Sequence, residues 1–249
     1  MKSLGFVFRA IPKIIARYPR VNRNYHQGKK LSFIKRYNDA RELIDVVDKA
    51  LHMEFIVTGE YPLPVTPSFL LTPNHQSFLD SLTMINVMNQ PCSFVAKKEA
   101  KKYPIVGKVL SSIDGYFMDR DDLRQEMKIM QKVRASIKEE NKKWIIFPEG
   151  TRTKDKDKKV GAFKPGSFKM AMANKVNIYP VAMWGSFRVL DRKVKMKKYP
   201  IYVHFCSPVT PEIYEGKSTT EVSELVRNSI IEQLEILKEI DKNNLKNFS

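Results

Sequence analysis

One imidazole in this chain has neighbours suited to chemistry. His75 is one of four histidines. It follows the apolar run Phe69–Thr72, at a turn marked by Pro73 and Asn74. That position, the carboxyl end of an expected strand, is where open α/β sheets place ligands. Asp80 lies one turn further, where the next helix begins. A carboxylate there can accept from one ring nitrogen, fix the tautomer and make the other nitrogen more basic. This is the base-and-orienter half of a catalytic triad, and the nucleophile can be a hydroxyl that the substrate brings. Short polar side chains at such a place also organise turns without any chemistry, so the pair alone leaves both readings open.

A second cluster, Phe147-Pro148-Glu149-Gly150-Thr151-Arg152, follows another buried-looking run, Trp144–Phe147. Gly150 permits close approach of backbone to a ligand. Thr151 and Arg152 are donors, and the guanidinium fork suits a phosphate. A plain strand-to-loop turn would carry the same residues. Three further groups attract less attention on their own. Gly115-Tyr116-Phe117-Met118-Asp119-Arg120 ends a strand in charge, Lys97 sits in a lysine-rich run from Ala96 to Lys102, and Tyr179–Met183 is mostly core strand.

The elements that must hold these groups alternate. Apolar or β-branched runs at Glu54–Thr58, Phe69–Thr72, Ser93–Ala96, Tyr116–Met118, Trp144–Phe147, Asn177–Met183 and Ile201–Phe205 are separated by helical patterns near 79–89, 98–111, 121–140 and 165–174. That order predicts a single α/β domain, residues 51–249, with a largely parallel mixed sheet flanked by helices. A last helix is expected over Thr220–Ile240, with Thr220 as its N-cap and a fraying tail beyond. With 249 residues, 43% of them apolar, the chain can build one large core. Cys92 and Cys206 are its only cysteines and read as structural thiols, which excludes a disulfide scaffold or a four-cysteine zinc site. No uninterrupted apolar window reaches membrane-spanning length, and Arg9, Lys13 and Arg17 break up any signal-like apolar core.

Lys and Arg number 44 against 27 acids, a formal charge of +17. Ten of the basic residues precede Asp39, the first acid. In the same segment Leu4, Val7, Phe8, Ile11, Ile14, Ile15 and Tyr18 keep helical spacing, with Arg9, Lys13 and Arg17 on other faces. Residues 1–50 therefore read as basic amphipathic helices, the first suited to an anionic bilayer surface through Phe8, Arg9, Ile11, Lys13, Ile14, Ile15 and Arg17. Pro12 is expected to kink or split that helix. Ordinary packing on the domain is the alternative. Nucleic acid would also answer the charge, but no recognised binding motif accompanies it.

Taken in order, the motifs carry a resemblance. Asn74-His75 with Asp80, Arg120 after a Gly-aromatic strand, Phe-Pro-Glu-Gly-Thr-Arg, then a Pro-Val-Ala strand: over residues 55–210 the chain resembles the glycerolipid acyltransferases, above all bacterial 1-acylglycerol-3-phosphate acyltransferases. Met118, where that family usually has Ile or Val, is a conservative departure. The resemblance implies transfer of a fatty acyl group from a thioester, carried by acyl carrier protein or coenzyme A, to the sn-2 hydroxyl of lysophosphatidate. It implies His75 as general base and Asp80 as its orienter. It also implies a phosphate site at Arg152, shaped by Glu149, Gly150 and Thr151, with Arg120 and Lys97 as further basic contributors. Neither a metal nor an organic cofactor is expected, and neither is a nucleic-acid partner. The expected location is peripheral, on the cytoplasmic face of the membrane. The basic loops Arg152–Lys159 and Arg188–Lys198 could dock an acidic carrier protein. Glycerol-3-phosphate or another lysophospholipid as acceptor fits the same motifs, and a non-catalytic module binding membranes or acidic proteins stands as the reading from another class.

Overall fold

The structure is a computed structural model describing residues 2–61, 67–119 and 121–248; the side chains of residues 1–10, 29 and 247 also lie outside the described set. Parallel strands covered on both faces need apolar residues at nearly every position. The short runs read from the sequence are of that kind, and each is a strand: β1 (Met53–Gly59), β2 (Phe69–Pro73), β3 (Ser93–Lys97), β4 (Tyr116–Met118), β5 (Trp144–Ile146), β6 (Asn177–Trp184) and β7 (Tyr199–Phe205). They form one sheet in the order β1-β7-β6-β2-β5-β3-β4. Every neighbouring pair is parallel except β6–β7. The sheet is thus mostly parallel and mixed, as expected.

Successive strand residues point to opposite faces, so β2 splits between two cores. Leu71 packs with α2 (Phe33–Ala50), α3 (Asp80–Val87) and α4 (Pro104–Ser112), through Leu43, Ile85 and Leu110 among others. Leu70 packs on the other face with α5 (Leu123–Glu140), α6 (Lys169–Ala173) and α8 (Thr219–Asn244), through Val133, Ala171 and Ile230. A short helix, α7 (Pro211–Tyr214), precedes α8.

The N-terminal helix α1 spans Lys2–Gln27 as one element with Pro12 and Pro19 inside it. The expected split at Pro12 does not occur. A proline removes one hydrogen bond while its fixed φ remains helical, and the packed second half secures the helix. There Val21 is fully buried, and Asn24 Nδ2 donates to Asp39 Oδ2 of α2 at 2.9 Å. In the first half Ile11 and Ile15 are exposed. No helix among the described residues is long and apolar enough to cross a membrane.

A charged trio of two buried cations and a half-buried carboxylate fastens α2 to the turns that follow α4 and α5. Arg36 donates to both carboxylate oxygens of Asp114, at 2.6 and 3.0 Å, and to the carbonyls of Ser112 and Leu31. Lys142 Nζ donates to Asp114 Oδ2 at 2.8 Å. Burial alone would raise the Asp114 carboxyl, but the hydrogen bonds from Arg36 and Lys142 outweigh it and hold the group below the usual carboxylate range.

Asp48, also on α2, has the opposite balance. Burial raises its pKa to about 7, against one hydrogen bond from Asn86 of α3. A carboxyl that binds its proton more tightly when folded destabilises the fold as pH rises from the unfolded value toward the folded one. Asp48→Asn is therefore expected to raise the melting temperature above about pH 7 and to change it little near pH 4. Melts at the two pH values check this; equal gains at both would contradict it.

The C-terminal helix corrects two expectations. Its N-cap is Ser218, not Thr220: Ser218 Oγ accepts from the Glu221 N–H at 3.2 Å, and the Glu221 carboxylate accepts from the Ser218 N–H at 2.7 Å. This reciprocal capping box sets the start of the helix. The helix also runs past Ile240, to Asn244, and beyond it the Phe248 carbonyl accepts from the Lys197 N–H at 3.1 Å.

Candidate active site

The loop leaving β2 is locked before it reaches His75. Asn74 Oδ1 accepts from the Met183 N–H at 2.7 Å, and its Nδ2 donates to the Met183 carbonyl at 3.1 Å, so β6 grips the loop twice. The His75 N–H donates to Glu149 Oε1 at 2.7 Å, and its carbonyl accepts from the Thr153 N–H at 2.9 Å. The imidazole packs on the Phe147 ring, with centroids 4.4 Å apart.

His75 Nδ1 lies 2.8 Å from Asp80 Oδ2. An ionised carboxylate only accepts, so Nδ1 carries the proton and Nε2 keeps its lone pair. Asp80 is fully buried at the first turn of α3, where the helix dipole favours negative charge. Oδ2 also accepts from the Gln76 and Ser77 N–H groups, at 2.7 and 2.8 Å. Oδ1 accepts from the Ser186 hydroxyl at 2.5 Å. Four donors thus hold a carboxylate whose burial would otherwise be costly.

His75 faces a cleft of about 240 Å³. Lys97, Gly150, Thr151 and Arg152 line it together with His75, while Phe94, Val106 and Leu110 supply apolar wall. Arg152 is exposed and makes no ion pair among the described residues. Lys97 lies 3.3 Å from the Glu99 carboxylate. Gly150 sits at φ +73, a left-handed conformation that suits glycine, and its N–H donates to the Phe147 carbonyl. Two segments far apart in sequence therefore meet over one cleft.

Glu149 is placed differently from Arg152. It is buried, and its carboxylate accepts from the backbone N–H groups of His75 and Gly161, at 2.7 and 2.9 Å. Burial raises its pKa, against those two N–H groups. It braces the loops on either side of the cleft. Arg120 lies outside the described residues. Of the surface-helix residues, Ile11, Lys13 and Ile15 are exposed and Ile14 and Arg17 are half-buried, while the side chains of Phe8 and Arg9 lie outside the described set. Arg188 is a correction: it is buried and ion-paired with Asp241, so it does not belong to a solvent-facing docking loop. Cys92 and Cys206 are both buried free thiols, pushed up by burial. The sequence reading missed Ser186. Its only signal was its place just past the end of β6, the same kind of position that singled out His75.

An α/β sheet with a His–Asp pair at a strand end, facing a basic cleft, defines a class, and the sequence matches it. The Acyltransferase family profile covers residues 54–184, and the chain belongs to that family. It is similar to the 1-acyl-sn-glycerol-3-phosphate acyltransferase of Saccharomyces cerevisiae, 26% identical over 78% of this chain and 64% of the yeast protein. It is also similar to the protein of that name from Borreliella burgdorferi, 27% identical over 75% of this chain and 74% of the relative. The chain thus spans about two thirds to three quarters of the length of these relatives. Among solved structures it resembles the 1-acyl-sn-glycerophosphate (LPA) acyltransferase PlsC from Thermotoga maritima, with a TM-score of 0.68, 23% identity and coverage of 95% of this chain and 94% of that one. At that identity the likeness speaks for the fold.

Proposed function

We propose that this protein transfers a fatty acyl group from an acyl thioester to the sn-2 hydroxyl of 1-acylglycerol-3-phosphate, giving phosphatidic acid. The observation that carries the proposal is the His75–Asp80 pair opening onto the cleft that Arg152 also lines. The relatives named for this activity support it.

In this scheme His75 Nε2 takes the proton from the acceptor hydroxyl as the oxygen attacks the thioester carbonyl. Asp80 holds the ring and stabilises the imidazolium. The tetrahedral intermediate collapses, the carbon–sulfur bond breaks, and the leaving thiolate takes the proton from Nε2. Arg152 holds the acceptor's phosphate, with Lys97 adding positive charge. The apolar wall of Phe94, Val106 and Leu110 suits an acyl chain. The co-substrate is an acyl thioester, on carrier protein or coenzyme A, and the scheme uses no other cofactor. Exposed Ile11 and Ile15 beside Lys13 on α1 suit a peripheral seat on an anionic leaflet, on the cytoplasmic side where thioesters are found.

The test is acyl transfer by purified protein to lysophosphatidate in anionic vesicles, with glycerol-3-phosphate and a lysophospholipid carrying a head group as competing acceptors. Preference for either competitor would overturn the acceptor assignment. Arg152→Ala is expected to raise the KM for lysophosphatidate about tenfold or more, since losing a charge-assisted hydrogen bond costs about 1.5–3 kcal/mol. An unchanged KM would remove Arg152 from the phosphate site.

A further inference from the structure

The catalytic pair does not end at Asp80. Its second carboxylate oxygen, Oδ1, takes the Ser186 hydroxyl at 2.5 Å, and both side chains are fully buried. Ser186 has little freedom of its own. Gly185, at φ +103, presses against the next strand so closely that a Cβ there would collide with the Pro200 carbonyl oxygen. On either side, Trp184 and Arg188 reach the same carboxylate on α8. Trp184 Nε1 donates to Asp241 Oδ2 at 2.9 Å, and Arg188 donates through both terminal nitrogens, with Nη1 3.0 Å from Oδ1. Asp241 and Arg188 are buried. Ser186, Arg188 and Asp241 all lie beyond the stretch that the family profile matches.

We propose that Ser186 is a positioning residue for acyl transfer, holding Asp80 in the plane that orients His75, and that Asp241 acts through Trp184 and Arg188 to hold Ser186 in place. The physical reason is the number of directions a buried carboxylate can take. Three donors, His75 Nδ1 and two backbone N–H groups, converge on Oδ2 alone. A fourth on Oδ1 removes the remaining rotation of the carboxylate about its own bond. Without it, Oδ1 is a buried acceptor lacking a donor, and the carboxylate turns or recruits water to satisfy it. Either response moves the oxygen that fixes the imidazole, and small misplacements of a catalytic group are costly in rate. The proposal rests on His75 acting as the base in the scheme above.

Ser186→Ala is expected to lower kcat about tenfold or more while the KM values for lysophosphatidate and acyl thioester stay within about twofold. Ser186→Thr, which keeps the hydroxyl, should recover much of the loss. The proton between His75 and Asp80 gives a second readout that needs no turnover: its low-field NMR resonance, assigned by its absence from His75→Ala, should shift in Ser186→Ala. Asp241→Asn, which keeps one acceptor but breaks the buried pairing with Arg188, should show the same split between kcat and KM in milder form. Circular dichroism establishes that each variant is folded. An active parent protein whose folded Ser186→Ala variant keeps both kcat and the resonance overturns the role of Ser186. A folded Asp241→Asn variant with unaltered kcat and resonance overturns the link to α8. A parent protein that shows the resonance but transfers no acyl group overturns the acyl-transfer reading, and the catalytic role of Ser186 with it.

Discussion

His75→Ala should abolish nearly all turnover, lowering kcat by about 10²–10⁴-fold, while the protein remains folded. The size follows from what general-base catalysis typically contributes. An alcohol is a weak nucleophile until its proton is removed, and the other described carboxylates near the cleft are engaged elsewhere, Glu99 by the Lys97 ammonium at 3.3 Å. Asp80 is fully buried and its oxygens are occupied by four donors, and Glu149 is occupied by two backbone N–H groups. The fold should survive because the imidazole's hydrogen bond among the described residues goes to Asp80, and the loop is held mainly through the backbone of His75 and the side chain of Asn74. The check is steady-state kinetics on lysophosphatidate with matched circular dichroism. Residual activity within tenfold of the parent would refute the base assignment.

Asp114→Ala should cost about 3–5 kcal/mol of stability, the range for removing one partner from a buried ion pair. The cost lies in what is left behind more than in the lost attraction. Arg36 is 3% exposed and Lys142 is 9% exposed, so Arg36 would lose its carboxylate out of water, while Lys142 would keep the exposed Glu140 at 3.7 Å. Asp114→Asn keeps one acceptor and should lose less. Urea denaturation measures both. A loss below about 1 kcal/mol for Asp114→Ala would mean that water reaches the trio freely. The sign with pH follows from the lowered carboxyl: its contribution is present above the unfolded carboxylate pKa and disappears as pH falls through the folded one.

Much of this architecture was legible because strands packed against helices announce themselves as short apolar or β-branched runs, and all seven did so, even the half-exposed β1. Their ends were legible too, which is why His75 and Arg152 could both be assigned to strand-end loops. Their meeting over one cleft is a matter of strand order, β5 lying beside β2, and spacing along the chain does not encode that. Glu149 shows a finer limit. A carboxylate next to a glycine turn reads as pocket lining, but its direction depends on two backbone N–H groups from distant loops. Ser186 was invisible for the same reason: its partner, Asp80, is brought near by the pairing of β6 with β2. Local chemistry misled at Thr220, where Ser218 and Glu221 make the better box. At Pro12 the kink-or-split expectation fails in its second half: the helix runs on unbroken, because packing further along α1 outweighs a single missing hydrogen bond.

The His75 imidazole is lashed down from both sides of the sheet. Asp80 rides on a helix above one core, and Asp241, two contacts behind it, rides on a helix above the other. Disorder in either layer is felt at the imidazole. Warming this protein should therefore cost activity as soon as either layer loosens, before the sheet itself comes apart.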